Sequence, residues 1–136
     1  MFAVIGQKIQ TRLNDTAAFT TANGNNKVFP VIINQTTNYP ATVYRIDNVD
    51  NFIAKGSSLE SCNVSIRITC LAESYATTYN QAKAAVEALD LYSASYTEDS
   101  VDYVAKFIFE TLTDEYQESA EVYYKDIFFN CLIIKN

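Results

Sequence analysis

The sequence predicts one α+β domain: an antiparallel sheet of about four to five strands with two helices packed on one face. Three observations lead there. Residues 62–70 alternate strictly, Cys62, Val64, Ile66, Ile68 and Cys70 against Asn63, Ser65, Arg67 and Thr69. That is a strand with one buried side and one wet or partner-facing side. Tyr75, Tyr79, Ala82, Val86 and Leu89 recur at spacings of three and four in an alanine-rich stretch, 75–91. That is a helix able to lie close on a sheet. Two long apolar runs, 101–112 and 122–134, follow it as strands.

The elements follow in order. Residues 3–13 place Val4, Ile5, Ile9 and Leu13 near one helical face, with Gln7, Lys8, Gln10 and Arg12 elsewhere. Phe19 is a second, short apolar point. Asn23-Gly24-Asn25-Asn26 is a turn, since Gly and Asn tolerate positive φ. Residues 27–33 are β-branched and aromatic, a strand, and Pro30 within it predicts an edge or a bulge. After the polar residues 34–38, Pro40 precedes a strand over 41–47, with Val43 and Arg45 on one side and Thr42, Tyr44 and Ile46 on the other. Residues 48–61 read as a loop or loose hairpin with a flexible centre at Lys55-Gly56-Ser57-Ser58. Ser74 can cap the helix that follows, and Gln81, Lys83 and Glu87 fall off its apolar stripe. Residues 92–100 read as a polar link, and 114–119 as the turn of a hairpin. The last two strands are apolar on both faces in their middles, which predicts central strands. Around Phe107 and Phe129 the second sheet face is expected to be too apolar to stay bare, a hint of oligomerisation.

A chain of 136 residues and 15.3 kDa is one domain's worth, so residues 1–136 are read as a single unit. It can hold a core without staples. With 49% apolar residues and only 3 Gly and 2 Pro, neither disorder nor low complexity is expected. The net charge of −6 argues against a sequence-specific nucleic-acid binder. That charge is uneven: residues 1–97 hold seven acids and seven bases, so all of it belongs to 98–136. The chain has no histidine, which removes Ser-His-Asp and Cys-His nucleophile systems and His-ligated zinc. Residues 2–5 are too short an apolar stretch for a secretory signal, and no window suits a membrane span. The expectation is a protein made in a cytoplasm, with Cys62, Cys70 and Cys131 as free thiols. Asn14, Asn34 and Asn63 open N-x-S/T tripeptides that chance explains in so Asn- and Thr-rich a chain.

Motifs for chemistry are missing. Glycine is too scarce for a phosphate-cradling loop, and Cys62 and Cys70 have a strand spacing, not that of a zinc knuckle. Residues 98–126 hold nine of the sixteen acids but no calcium-loop pattern. They read as solvated hairpin and loop acids, beside tyrosines 116, 123 and 124 that suit an interface rim. No enzymatic activity, cofactor or metal is expected.

A familiar layout runs through Val28-Phe29-Pro30, then Asn38-Tyr39-Pro40-Ala41-Thr42-Val43-Tyr44-Arg45-Ile46, then residues 62–75 and the helix Tyr79 to Leu89. Over about residues 5–90 the chain resembles the tail-completion and tail-terminator proteins of long-tailed bacteriophages. In that family a short helix leads to a "V-Y/F-P" strand, a proline-led strand ending in Tyr, a strand of the form x-V-x-I-x-x-x-A-x-S-Y, and an alanine-rich helix. The resemblance implies a structural virion protein, usually a hexameric ring on the head-proximal end of the tail tube. Such a ring stops tube polymerisation and meets the head connector, so its partners are further copies, tail-tube protein and the head-completion or connector protein. Genome DNA passes through the lumen without sequence-specific binding, and no membrane is involved. The implied location is the virion tail or neck, assembled in the host bacterial cytoplasm. The alternatives are another neck, head-completion or minor tail ring protein, or a small monomeric ligand-binding accessory module. Candidate subunit or partner contacts are Asp47, Asn48, Asp50, Phe52 and Lys55 of the loop, Asn63, Ser65, Arg67 and Thr69 of the alternating strand, and Tyr116 and Tyr123.

Overall fold

Strand alternation and helical periodicity build a sheet with a helical layer on one side, in more pieces than the sequence predicts. The computed structural model describes residues 2–32, 38–52 and 61–136, with Asn51 and Phe52 described in their backbone only. In chain order the elements are α1 (Ile5–Asn14), α2 (Ala17–Asn23), β1 (Val28–Pro30), β2 (Ala41–Phe52), β3 (Ser61–Ala72), α3 (Tyr75–Leu89), β4 (Ser93–Glu98), β5 (Val101–Gln117) and β6 (Val122–Lys135). The strands form one sheet in the order β1-β2-β3-β6-β5-β4. β1 runs parallel to β2, and every other neighbouring pair is antiparallel.

The expected antiparallel sheet of four to five strands with two helices is thus corrected to a six-stranded mixed sheet with three helices. Short elements make the difference. Residues 17–23, expected to give only an apolar point at Phe19, form the helix α2, which buries Phe19 and Asn23. So short a helix forms only through tertiary contact, which leaves little trace in sequence. It stops at Gly24, whose φ of 66 lies in the left-handed region that glycine adopts freely. Residues 93–98, expected as a polar link, are an edge strand with Ala94 and Tyr96 buried. Its serines and threonine are the residues of a loop. Pairing with β5 through the turn at Asp99 and Ser100, at φ 52 and 65, makes it a hairpin. β1 lies at the sheet edge, as Pro30 predicts, but its three residues carry no sign of their parallel direction.

The core lies between sheet and helices. Ile5, Ile9 and Leu13 of α1, the α3 alanines and the inward side chains of β3, β5 and β6 form one buried cluster. Burial alternates along all 12 residues of β3, as its pattern predicts. Gly6 brings α1 onto β2: a Cβ there would stand 3.0 Å from the Tyr44 ring. Phe107 and Phe129, expected to load the second sheet face, point into this core and are fully buried.

The buried face of α3 also differs from expectation. Gln81 is fully buried, while Tyr75 and Tyr79 are exposed. Small side chains at Ala82, Ala84, Ala85 and Ala88 let the helix approach closely on that side. Hydrogen bonds make the burial of Gln81 tolerable. Its Nε2 donates to Asn23 Oδ1 at 2.9 Å and to the Ala41 carbonyl at 3.2 Å. Thr42 Oγ1 donates to the same Asn23 oxygen at 2.8 Å, and Asn23 Nδ2 donates to the Lys27 carbonyl at 3.1 Å. This knot ties α2, β2 and α3 together.

β5 and β6 pair as far as Gln117 and Val122. β5 is exposed from Glu110 onward, where β4 no longer flanks it, while β6 stays paired with β3 as far as Tyr123; this end of the hairpin, free on its β5 edge, is called the arm.

Candidate functional site

The surfaces that can meet a partner are the helix-free sheet face and the arm. On the sheet face, β3 presents Asn63, Ser65, Arg67 and Thr69, all half-buried. β2 lies beside them with Asp50 opposite Asn63, Asn48 opposite Ser65 and Arg45 opposite Arg67. Two arginines facing each other would repel. A register shift between Ile46 and Asn48 sets Asp47 next to them. Its Oδ1 accepts from Arg67 Nη2 at 3.0 Å and pairs with Arg45 Nε at 3.2 Å. Towards β6, Thr69 Oγ1 donates to Asp126 Oδ1 at 2.6 Å and Asn130 Nδ2 to Asn63 Oδ1 at 3.0 Å. The polar half of the face is therefore knitted within itself. The other half is apolar: Phe128 and Leu132 of β6 with Ile108 of β5, beside the exposed Ile134. Among the described residues no helix covers this strip.

The arm carries a second set of residues on the opposite, helix-bearing side. Lys125 is buried and pairs with Asp114. Its ammonium lies 4.2 Å from the centre of the Tyr75 ring, whose hydroxyl donates to Asp114 Oδ2 at 3.0 Å. Burial pulls the Lys125 pKa down, but the bonds to Asp114 and Tyr75 and their charges outweigh it, leaving it above the ordinary lysine value. The hydrogen bond from Lys125 holds the Asp114 carboxyl below its usual range. Tyr75, Tyr79, Val86 and Leu112 with this ion pair line a groove of about 420 Å³ between α3 and the arm. Tyr123 meets Tyr75 edge-on at 5.8 Å between ring centres, and Tyr116 at 4.8 Å.

The fold has a counterpart among solved structures. It is similar to a chain from the virion of a native gene transfer agent particle, with a TM-score of 0.74, 14% identity and 100% of each chain covered. At that identity the likeness is one of fold. No protein-family model matches the sequence, and no curated protein does.

The structure brings together seven of the sequence-predicted residues, Asp47, Asn48, Asp50, Asn63, Ser65, Arg67 and Thr69, on one sheet face. Tyr116 and Tyr123 form a separate pair on the arm. Phe52 is the last residue of β2, opposite Ser61, and Lys55 lies outside the described residues. Sequence reasoning expected an apolar second face but placed it on Phe107 and Phe129, because adjacent Phe128 and Phe129 do not say which one faces inward. It missed Lys125, although that residue shares its parity with Ile127, Phe129, Cys131 and Ile133, all buried. The three thiols are free and buried. Burial pushes Cys70 and Cys131 up to about 12, so both stay protonated at neutral pH and offer no thiolate. Among the described residues no helix is long and apolar enough to cross a membrane.

Proposed function

We propose that this chain is a non-enzymatic structural subunit of a phage-like particle. The carrying observation is the end-to-end likeness of its fold to a chain of a gene transfer agent virion, covering 100% of both. Within that reading, the pattern over residues 5–90 favours a tail-terminator ring, a hexamer on the head-proximal end of the tail tube. The ring ends tube growth and joins the tail to the head connector, and genome DNA passes through its lumen. The apolar strip of Ile108, Phe128, Leu132 and Ile134 suits a subunit contact, since a lone soluble chain gains by covering such a surface. The charge of −6 suits a channel along which DNA slides without sticking.

Electron microscopy of the purified chain, alone and mixed with tail-tube protein, tests the reading. Rings of fixed symmetry on tube ends are the expected result. A monomer that ignores tubes, or turnover abolished by one carboxylate substitution, overturns it. Rings that bind only the connector would favour a head-completion part instead.

A further inference from the structure

The arm repeats at its tip an arrangement that the chain completes nearer the core. At the inner site an ammonium group, Lys125, lies over a tyrosine ring, Tyr75, and pairs with a carboxylate, Asp114. From Tyr75 a row of rings runs outward through Tyr123 to Tyr116. It ends at a cavity of about 440 Å³ lined by Glu73, Tyr116, Ala120, Glu121 and Tyr123. The tip again has aromatic faces beside carboxylates. Among the described residues, however, no lysine or arginine pairs with Glu73 or Glu121. Tyr116 is 48% exposed. Residues 110–121 add Glu110, Asp114, Glu115 and Glu118 to Glu121 and contain no base.

We propose that the arm tip is a docking surface for a protein partner that inserts an arginine or lysine side chain between the two tyrosines and the carboxylates of Glu73 and Glu121. The charge of the arm selects a basic segment and refuses DNA. The rings add attraction that a carboxylate alone lacks, because a cation over an aromatic face is drawn by the ring quadrupole. The cavity has room for a guanidinium group and its stem. The inner site shows the same chemistry satisfied by the chain's own lysine. The proposal rests on the reading of the chain as an assembly subunit, which supplies a protein partner.

The test uses the full chain and a short glycine–serine peptide carrying two arginines, with its citrulline counterpart as the uncharged control. Binding is measured by calorimetry at low salt. The arginine peptide should bind and the citrulline peptide should not. Tyr116→Ala leaves the net charge unchanged and should weaken binding about threefold to fivefold. Glu73→Gln with Glu121→Gln should weaken it further, whereas Asp15→Asn on α1, an equal loss of charge elsewhere, should not. Equal binding by the Tyr116→Ala variant means unspecific attraction to an acidic surface and overturns the proposal. So does displacement of the peptide by about 1 mM calcium, which would make the tip a cation site. A melting curve for each variant separates lost binding from lost folding. Tube capping by the same variants is scored separately. Capped tubes with an arm that ignores the peptide overturn the docking surface and leave the ring. Peptide binding without rings does the reverse.

Discussion

Removing Asp114 should cost the protein far more than removing Lys125, although the two form one ion pair. The side-chain exposures are 48% for Asp114 and 4% for Lys125. In Asp114→Ala the ammonium stays buried with only the Tyr75 ring beside it, and burying a charge without its partner is costly. A fully enclosed pair broken this way loses about 3–5 kcal/mol. Here water can enter where the half-exposed carboxylate stood, so about 2 kcal/mol is the expected cost. In Lys125→Met the aliphatic stem is replaced and the Asp114 carboxylate turns to water, so the expected cost is at most about 1 kcal/mol. For a chain of this size, 2 kcal/mol lowers the melting temperature by about 6–10 °C. Thermal unfolding followed by circular dichroism at neutral pH measures both variants. In the double variant, Asp114→Ala should cost almost nothing once the lysine is gone. The pair also has a pH signature. Asp114 is held below its ordinary value, so its contribution is complete above about pH 4 and is lost as pH falls through the lowered value. The gap between the parent protein and Asp114→Ala should therefore be full at neutral pH and close below about pH 4. An Asp114→Ala variant no less stable than Lys125→Met would refute the reasoning.

Two further expectations concern the core. Asn23→Ala removes the acceptor shared by Thr42 and Gln81 at 2.8 and 2.9 Å, leaving the buried Thr42 hydroxyl and one of the two Gln81 amide hydrogens without it, while the Gln81 amide keeps its bond to the Ala41 carbonyl. The cost should be about 3–4 kcal/mol by denaturant titration, and a loss below about 1 kcal/mol would show that the knot relaxes freely. The thiols should resist a thiol-specific dye at about pH 8 in the native protein and all three should react on unfolding, because each is buried and Cys70 and Cys131 are pushed up to about 12. Rapid labelling of the native chain would contradict that burial.

Long, strongly patterned elements were legible in the residues and short ones were not. α1 and β3 lie where their apolar periods place them, since each meets the core along one whole face. β4 and α2 were not legible, because six and seven residues carry too few repeats to state a period. The polar row on β3 was readable as a surface, and the loop acids that follow residue 46 join it through the register of β2. The tyrosine row of the arm was visible only as residues near acids. Its order, Tyr75 to Tyr123 to Tyr116, joins parts of the chain that only folding brings together.

The sequence by itself determined an alternating strand, an alanine-rich helix and a surplus of negative charge confined to its last 39 residues. Those are local or additive properties, readable because burial and charge act residue by residue. Tertiary structure alone decided that six strands share one mixed sheet, that Phe129 faces inward and Phe128 outward, and that Gln81 rather than Tyr79 is enclosed. It also decided that five of the nine acids of residues 98–136 stand on an arm beside paired tyrosines. Register and packing set these, and both depend on contacts between residues far apart in the chain.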